Sequence, residues 1–271
     1  MSGPDPVALT VSIKELSDVD ELRDLAELFA VVWGRAGEPP ITSDVLKALA
    51  HSGNYVSGAH VDGKLVAGLV GWFGGVPPHD LHLHSHILGV IAGNDARGLG
   101  FALKQHQRLW CLERSVKVIE WTTDPLVRRN VYFNLTKLGA QATAYLTNVY
   151  GVMTDGINAG EESDRLLITW RLESSSSGGV EPKLDEMIRD GAVTALSVGP
   201  AGQPVVSDEP FARVLLCQVP EDIVAVRRND PPLARAWRTA ARKAIGGALA
   251  AGYEVTGATR SGWYVLESGA N

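Results

Sequence analysis

Apolar residues recur every three or four positions in two stretches near the start of the chain, which predicts two amphipathic helices. Ser17 is a candidate cap for the first helix, because acidic residues that favour a first turn follow it. The apolar stripe of this helix consists of Leu22, Leu25, Phe29 and Val32. A shorter second helix, starting at residue 42 or 43, ends at a glycine.

The pattern then changes to that of strands. Tyr55–Val61 and Leu65–Phe73 form two predicted strands joined at Asp62-Gly63, a dipeptide that accepts the positive φ values of a tight hairpin. Leu81–Ala92 is a third predicted strand, because it lacks the charge pairs of a helix and ends in an apolar run.

Helices and strands alternate beyond this meander. We predict helices over 98–114 and 126–138 and strands over 116–122, 142–149 and 166–172. Gly139 follows the second of these helices as a natural terminating residue. The order predicts an α/β fold built around one mixed sheet with flanking helices.

A polar serine and glycine tract, Ser174–Gly179, is the clearest break in composition. We therefore predict a main domain over 1–173, a linker over 174–182 and a smaller α/β extension over 183–271. The extension contains predicted strands at 193–198, 211–219 and 253–266 and a helix at 233–251. The basic residues of that helix form either a solvated face or a site for an anion or partner: Arg235, Arg238, Arg242 and Lys243.

Composition narrows the classes of function. The formal net charge is -6 and the pI is about 5.7, which argues against nucleic acid as a partner. No apolar run approaches the length of a membrane span and residues 1–11 do not resemble a signal peptide, so we expect no membrane association and a cytoplasmic location. Cys111 and Cys217 are far apart and read as two buried free thiols.

The candidate chemistry begins where the strand ending near residue 92 meets the next helix. Gly98 and Gly100 lie where backbone N–H groups at a helix N-terminus can face an anion such as a pyrophosphate, and Arg97 adds a positive charge beside them. The alternative is an ordinary glycine-containing turn. A dinucleotide fingerprint would need a third glycine and a P-loop would need Gly-Lys-Ser/Thr, and neither is present.

The window Asp95-Ala96-Arg97-Gly98-Leu99-Gly100 resembles the acyl-CoA motif of the GNAT (Gcn5-related N-acetyltransferase) superfamily, with Arg97 serving where Asp95 replaces the usual Gln or Arg. The resemblance continues through the helix that ends in Lys137-Leu138-Gly139-Ala140. It implies an acyl-CoA-dependent N-acyltransferase with a GNAT-type mixed sheet. The family's usual proton-donating Tyr is replaced by Leu135, and Tyr132, one turn earlier, is the substitute.

More narrowly, the segments 84–90, 124–130, 134–140 and 154–165 resemble a bacterial GNAT subgroup linked to N-acylation of amino acids, with acetyl-CoA or succinyl-CoA as donor. The acyl-CoA contacts implied are Leu88, Gly89, Val90, Arg97, Gly98, Leu99, Gly100, Phe101 and Asn130. The acceptor is then a small-molecule amine.

His86 is the candidate general base or water-relay residue, because it precedes the end of the strand and an imidazole titrates near neutral pH. The alternative is a structural strand histidine. His82, His84 and His86 alternate, so a strand places them on one face. Residues i and i+4 of a strand lie about 13 Å apart, so we expect no metal site.

Arg165, in a loop that also holds Asp155 and Asn158, could bind the carboxylate of the acceptor, or the loop could be closed by local turns. Arg128 and Arg129 are equally suitable carboxylate binders. The C-terminal extension either covers the acceptor pocket or forms a homodimer interface. A non-catalytic acyl-CoA-binding or regulatory module, and a metal enzyme using the histidine strand, are the rival functions.

Overall fold

The computed structural model describes residues 10–35, 37–76, 80–93, 98–152, 161–173, 178–207 and 212–269. The chain divides into two compact units, Met1–Ile119 and Glu120–Asn271. Helices and strands alternate in both units, and the predicted mixed α/β architecture is confirmed. The domain division at residues 174–182 stays a prediction.

The first unit contains an antiparallel sheet whose strands follow one another in chain order. Its strands are β1 (Val11–Glu15), β2 (Tyr55–Val61), β3 (Lys64–Gly74) and β4 (His82–Val90). The sequence pattern predicted β2 to the residue but missed β1. That short strand is exposed or half-buried along its whole length, so it lacks the alternation that identifies a strand.

The helices of this unit are α1 (Val19–Val32), α2 (Ser43–His51) and α3 (Leu99–Glu113). The cap of α1 is Asp18 and not the predicted Ser17, because the Asp18 carboxylate accepts hydrogen bonds from two backbone N–H groups of the first turn. A Cβ on Gly68 of β3 would meet Leu25 of α1, whereas a Cβ on Gly71 would meet Gln107 of α3. Since residues three apart on a strand point to opposite faces, α1 and α3 cover opposite faces of the sheet.

A β-bulge interrupts the pairing of β3 with β4 at His86. Val70 pairs with Ile87 and Gly71 pairs with Ser85, which leaves His86 as an extra residue on β4. Because of the extra residue, the side chains after the bulge alternate in the opposite sense from those before it. Ser85 contacts α3, whereas Gly89, four residues later, packs against α1.

The second unit begins within β5 (Val118–Thr123) and contains a mixed sheet in the order β5-β7-β6-β11-β12-β10-β8-β9. Its other strands are β6 (Gln141–Leu146), β7 (Arg165–Arg171), β8 (Val193–Val198), β9 (Pro204–Val206), β10 (Val214–Gln218), β11 (Tyr253–Ala258) and β12 (Trp263–Ser268). The sheet is mixed because β8 and β10 are parallel, whereas the β6–β7 and β11–β12 pairs are antiparallel.

The helices of the second unit are α4 (Arg128–Val131), α5 (Leu184–Arg189), α6 (Ile223–Asn229), α7 (Pro231–Ala241) and α8 (Gly247–Ala250). A π-helical segment, Tyr132–Lys137, continues α4, and a second one, Arg242–Gly246, joins α7 to α8. Buried aromatic side chains occupy the core, with Trp121 and Trp170 in an edge-to-face contact and Trp237 fully buried.

Several predicted bounds in this unit differ from the structure, and two of the differences have a clear physical reason. The helix predicted over 126–138 begins two residues later, because Asp124 and Pro125 form a turn in which the Asp124 carboxylate accepts a bond from the N–H of Leu126. The single strand predicted over 253–266 is the hairpin of β11 and β12, whose turn ends at Gly262 with a φ of 92°.

Candidate functional site

The first turn of α3 begins at Gly98. Gly98 is the N-cap residue and has a φ of 83°, and among the described residues no side chain caps the helix. A left-handed φ at this position explains why glycine is needed, and a Cβ there would meet nothing within 4 Å. The first backbone N–H groups of a helix have no partner within the helix, so this terminus can receive an anion.

The end of β4 lies beside this terminus. A Cβ on Gly100 would lie 3.7 Å from Leu88 Cδ2 and 3.8 Å from Val90 Cγ2. Leu99 is buried and Phe101 is exposed at the same turn. Of the acyl-CoA contacts predicted in the first unit, the structure therefore brings Leu88, Val90 and the turn at Gly98 together. Arg97 lies outside the described residues.

Gly89 has a packing role. A Cβ there would lie 2.9 Å from Phe29 Cδ1 and 3.1 Å from Trp33 Cζ3, so a larger residue would push α1 away from the sheet. The absence of a side chain at Gly89 is thus explained by the core of the first unit. Its predicted main-chain contact with a ligand stays a prediction.

His84 and His86 form a cluster with Trp72. The Trp72 ring centroid lies 5.1 Å from that of His84 and 4.4 Å from that of His86. Nδ1 of His86 lies 3.4 Å from Nε2 of His84, so a single proton can be shared between the two rings. His82 lies at the start of the strand, where its Nδ1 is 3.1 Å from the Asp80 carbonyl oxygen.

Desolvation favours the neutral form of His84 and of His86, although the His86 side chain is in part exposed. Desolvation lowers the pKa of His84 to about 4, helped by the neighbouring His86, and it also lowers the pKa of His86. A neutral imidazole near pH 7 can accept a proton, as a general base must. The described part of the chain contains no group of three or more His, Cys, Asp or Glu side chains placed to hold a metal ion.

A buried lysine beneath β4 was not predicted from the sequence. Nζ of Lys104 on α3 donates to Ser85 Oγ at 2.8 Å and to Gln107 Oε1 at 3.3 Å. Burial lowers the pKa of Lys104 to about 7. The spacing of Lys104, Gln107 and Cys111 along one helix face could have indicated it, because Cys111 is a residue type typical of the core.

The predicted site residues of the second unit lie on α4 and β7. Arg129 and Asn130 are exposed on α4. Tyr132 is half-buried, and its hydroxyl accepts a hydrogen bond from Nη2 of Arg260 at 3.4 Å. Leu135, at the position where the resemblance would place a proton donor, is buried.

Arg165 belongs to a buried ionic cluster. Its Nη1 donates to the Asp164 carbonyl at 2.9 Å and lies 3.9 Å from Asp124 Oδ2. Its guanidinium also lies over the Tyr150 ring, 5.6 Å from the centroid. The loop residues Asp155 and Asn158 lie outside the described residues. A role for Arg165 in binding an acceptor stays a prediction.

The centre of this cluster is the carboxylate of Asp124. Arg238 donates to both of its oxygens at 2.9 and 3.0 Å, and Arg227 donates to Oδ2 at 2.5 Å. Glu161 accepts from Arg227 Nε at 2.8 Å. Although burial alone would raise it, the two guanidinium groups hold the pKa of Asp124 well below its usual range.

The basic face predicted for the long C-terminal helix was therefore wrong for one of its members. Arg238 is buried in this cluster. Arg242, one turn later, pairs with Asp164 and Glu162, and Asp164 in turn accepts a bond from the Tyr145 hydroxyl at 2.8 Å. These charges hold the structure of the second unit together, and periodicity alone could not show their partners.

Two further findings bear on the sequence predictions. Cys111 and Cys217 are buried free thiols, and burial raises the pKa of each to about 12. Among the described helices, none has the length and apolar character needed to cross a membrane.

No protein-family model and no curated protein matches the sequence. Among solved structures, it is similar to an N-acetyltransferase from Staphylococcus aureus Mu50 (13% identity, 60% of this chain and 99% of that chain, TM-score 0.49). It is also similar to an acetyltransferase of the GNAT family from Streptococcus pneumoniae (12% identity, 60% and 99%, TM-score 0.48). A third is the ribosomal-protein-S18-alanine N-acetyltransferase from Escherichia coli (16% identity, 62% and 97%, TM-score 0.47).

Proposed function

We propose that this chain is an N-acyltransferase of the GNAT type that moves an acetyl or succinyl group from acyl-CoA to the primary amine of a small metabolite, an amino acid in particular. The observation that carries the proposal is the uncapped start of α3 at Gly98, directly beside the end of β4. This is the arrangement that the sequence motif around Gly98 and Gly100 requires. Backbone N–H groups and the helix dipole would hold the pyrophosphate there.

The residues present fit such a ligand. The left-handed Gly98 opens space at the terminus, and Gly100 presents no side chain toward a bound group. When bound, acyl-CoA supplies a thioester carbonyl that an amine can attack and a thiolate that can leave. Close approach of the two reactants can supply much of the acceleration, about 7–11 kcal/mol in favourable cases.

His86 is the proposed general base. Its neutral ring can take the proton of the substrate ammonium group, which leaves the amine as a nucleophile. The neighbouring His84 would select the tautomer. When the Nδ1–H of His86 donates to Nε2 of His84, Nε2 of His86 is the unprotonated nitrogen that can accept the proton.

Other roles rest on the sequence alone. Tyr132 is proposed to protonate the leaving thiolate, and Asn130 to contact acyl-CoA. Arg129 or Arg165 is proposed to bind an acceptor carboxylate. A cytoplasmic location, and acetyl-CoA or succinyl-CoA as the donor, are likewise proposed from the sequence.

The test is thermal unfolding of the purified protein with CoA, acetyl-CoA and succinyl-CoA. A ligand at 100 times its Kd should stabilise the native state by about 2.7 kcal/mol. The best donor would then be used in a screen of amines for turnover. No shift at millimolar ligand would refute the proposal.

The rival function is an acyl-CoA-binding regulatory module without catalysis. The observation that favours it is Leu135, which is buried where the resemblance places a proton donor. Tight binding of acyl-CoA without turnover of any amine in the screen would decide for this rival.

A further inference from the structure

The second unit contains two segments that each consist of a strand, a helical part with a π-helical segment, and a hairpin. In the first, β5 leads through α4 and its π-helical segment to the hairpin of β6 and β7. In the second, β10 leads through a longer helical part, α6, α7, the second π-helical segment and α8, to the hairpin of β11 and β12. If β5, β6 and β7 correspond to β10, β11 and β12, the strand order β5-β7-β6-β11-β12-β10 is symmetric about its centre. The antiparallel pair β6–β11 lies at that centre.

The correspondence holds residue by residue around that central pair. Gly139 and Gly252 both end a helix with a positive φ, of 69° and 89°. Three residues after each glycine, Ala142 and Val255 pair with each other across the centre. The next residue in each strand, a threonine, is left over by a β-bulge in its own hairpin. The turn glycine, the pairing residue and the bulged threonine of the first hairpin are thus each 113 residues before their counterparts in the second.

A short sequence in the helical part repeats as well, 99 residues apart and not 113, because the helical part of the second segment is longer. The sequence Val-Arg-Arg-Asn occurs over 127–130, at the beginning of α4, and over 226–229, at the end of α6. The second residue of each copy reaches the loop that follows the first strand of the other segment. Arg128 pairs with Glu221 at 3.1 Å, and Arg227 pairs with Asp124 at 2.5 Å.

The helices also exchange contacts across the centre. In the first π-helical segment, Thr136 donates to the carbonyl of Ala258 in β11 at 2.6 Å. In the second, Gly246 lies against the Tyr145 ring of β6, which a Cβ would approach to 3.2 Å. Each π-helical segment thus contacts the first hairpin strand of the other segment, and such a reciprocal pairing of equivalent elements is the mark of an interface with two-fold symmetry.

We propose that residues 214–268 are a diverged second copy of residues 118–171, and that this copy is a built-in partner for the interface along β6. The kind of partner that this surface fits is another copy of the same strand, helix and hairpin module, supplied here by the chain itself. The interface of two subunits is thereby contained in one chain, and β6 has no free edge for a second molecule.

The second copy pairs with β6 through β11, but in the described residues it has no counterpart of the proposed acyl-CoA site at Gly98. Between β8 and β10 the described residues contain β9 and no helix, so they provide no counterpart of the Gly98 terminus of α3. This part of the inference rests on the proposed function. It predicts one acyl-CoA per chain, in spite of the two copies.

The pairing in one chain is tested with the full-length variant Ala142→Cys/Val255→Cys. Residues directly opposite on antiparallel strands have Cβ atoms about 4.5–5.5 Å apart, close enough for a disulfide after small adjustments. After mild oxidation we expect a product of monomer mass whose peptide map contains the 142–255 linkage. The single variants Ala142→Cys and Val255→Cys are the controls and should give no crosslinked product.

A crosslinked dimer of the double variant would show that β11 comes from another molecule, and it would overturn the proposal. A folded double variant that forms no linkage at all would do the same. Calorimetric titration of wild-type protein with the best acyl-CoA then counts sites. One site per chain supports the absence of a second acyl-CoA site and two sites contradict it, whereas zero sites refutes the proposed function and leaves the crosslink to decide whether the chain supplies its own partner for β6.

Discussion

Nη2 of Arg227 lies 2.5 Å from Oδ2 of Asp124, and both side chains are buried in the second unit. The same guanidinium donates to Glu161, so one cation holds two carboxylates that are largely shielded from bulk water. Removing one partner of such a cluster leaves an uncompensated charge in the interior.

Arg227→Met should therefore lower the free energy of unfolding by about 3–5 kcal/mol, measured by urea denaturation. The adjacent Arg228 is exposed, so Arg228→Met is a matched control with an expected effect within about 0.5 kcal/mol. Equal effects of the two substitutions would contradict the structural role of the cluster.

The glycine turn gives a prediction on ligand binding. Gly100→Ala should fold normally, since the new methyl group would meet Leu88 and Val90 only at ordinary contact distances. It should nevertheless weaken acyl-CoA binding, because the methyl group stands beside the N–H groups of the first turn. The acyl-CoA concentration that gives a fixed thermal shift should rise tenfold or more, which corresponds to about 1.4 kcal/mol.

Gly247→Ala is the control for that experiment. Gly247 is also a helical glycine, and a Cβ there would meet nothing within 4 Å. Its substitution should give the same gain in helix propensity and an unchanged ligand shift. If Gly100→Ala binds as wild type does, the start of α3 is an ordinary turn.

His86→Gln should lower kcat by about 10²–10⁴-fold if His86 is the general base. Since burial lowers the pKa of His86, wild-type activity should fall only as the pH drops below the usual value of about 6.5. This acid limb should be missing from the variant's pH profile. His82→Gln, on the same strand, should leave kcat and the profile unchanged, and an intact limb in His86→Gln would exclude the assignment.

Lys104 should make stability depend on pH. Its folded pKa is lowered to about 7, whereas the unfolded value is about 10.4, so the unfolded chain binds more protons between these values. Lys104 therefore contributes a rise in the free energy of unfolding with pH across that window, which the raised pKa values of Cys111 and Cys217 oppose above the usual thiol value of about 8.5. In Lys104→Met this contribution should disappear, whereas Lys64→Met, at an exposed position, should retain it.

Hydrophobic periodicity predicted the elements that have one buried face, and β2 and β8 were predicted to the residue. It could not divide β11 from β12, because the turn at 259–262 contains only one glycine and no proline. The turn at Gly98 could be predicted because a left-handed cap selects glycine.

The ionic cluster of the second unit could not be predicted in the same way. Arg227 and Arg238 meet Asp124 across 103 and 114 residues of chain, and no local pattern records such a pairing. In the sequence Arg238 belongs to a predicted helix, whereas Arg227 lies in a stretch for which no element was predicted. Their burial follows from the docking of α6 and α7 onto the loop after β5.

The hairpin of β11 and β12 also constrains how the protein is made. The Tyr264 hydroxyl donates to the Pro125 carbonyl across 139 residues, and β6 gains its neighbour β11 only when residues near 255 are available. During synthesis on the ribosome, β6 therefore lacks its neighbour β11 until more than a hundred further residues have been added. During that interval its edge is a template for other nascent strands, so we expect chaperone demand to be greatest just before β11 emerges.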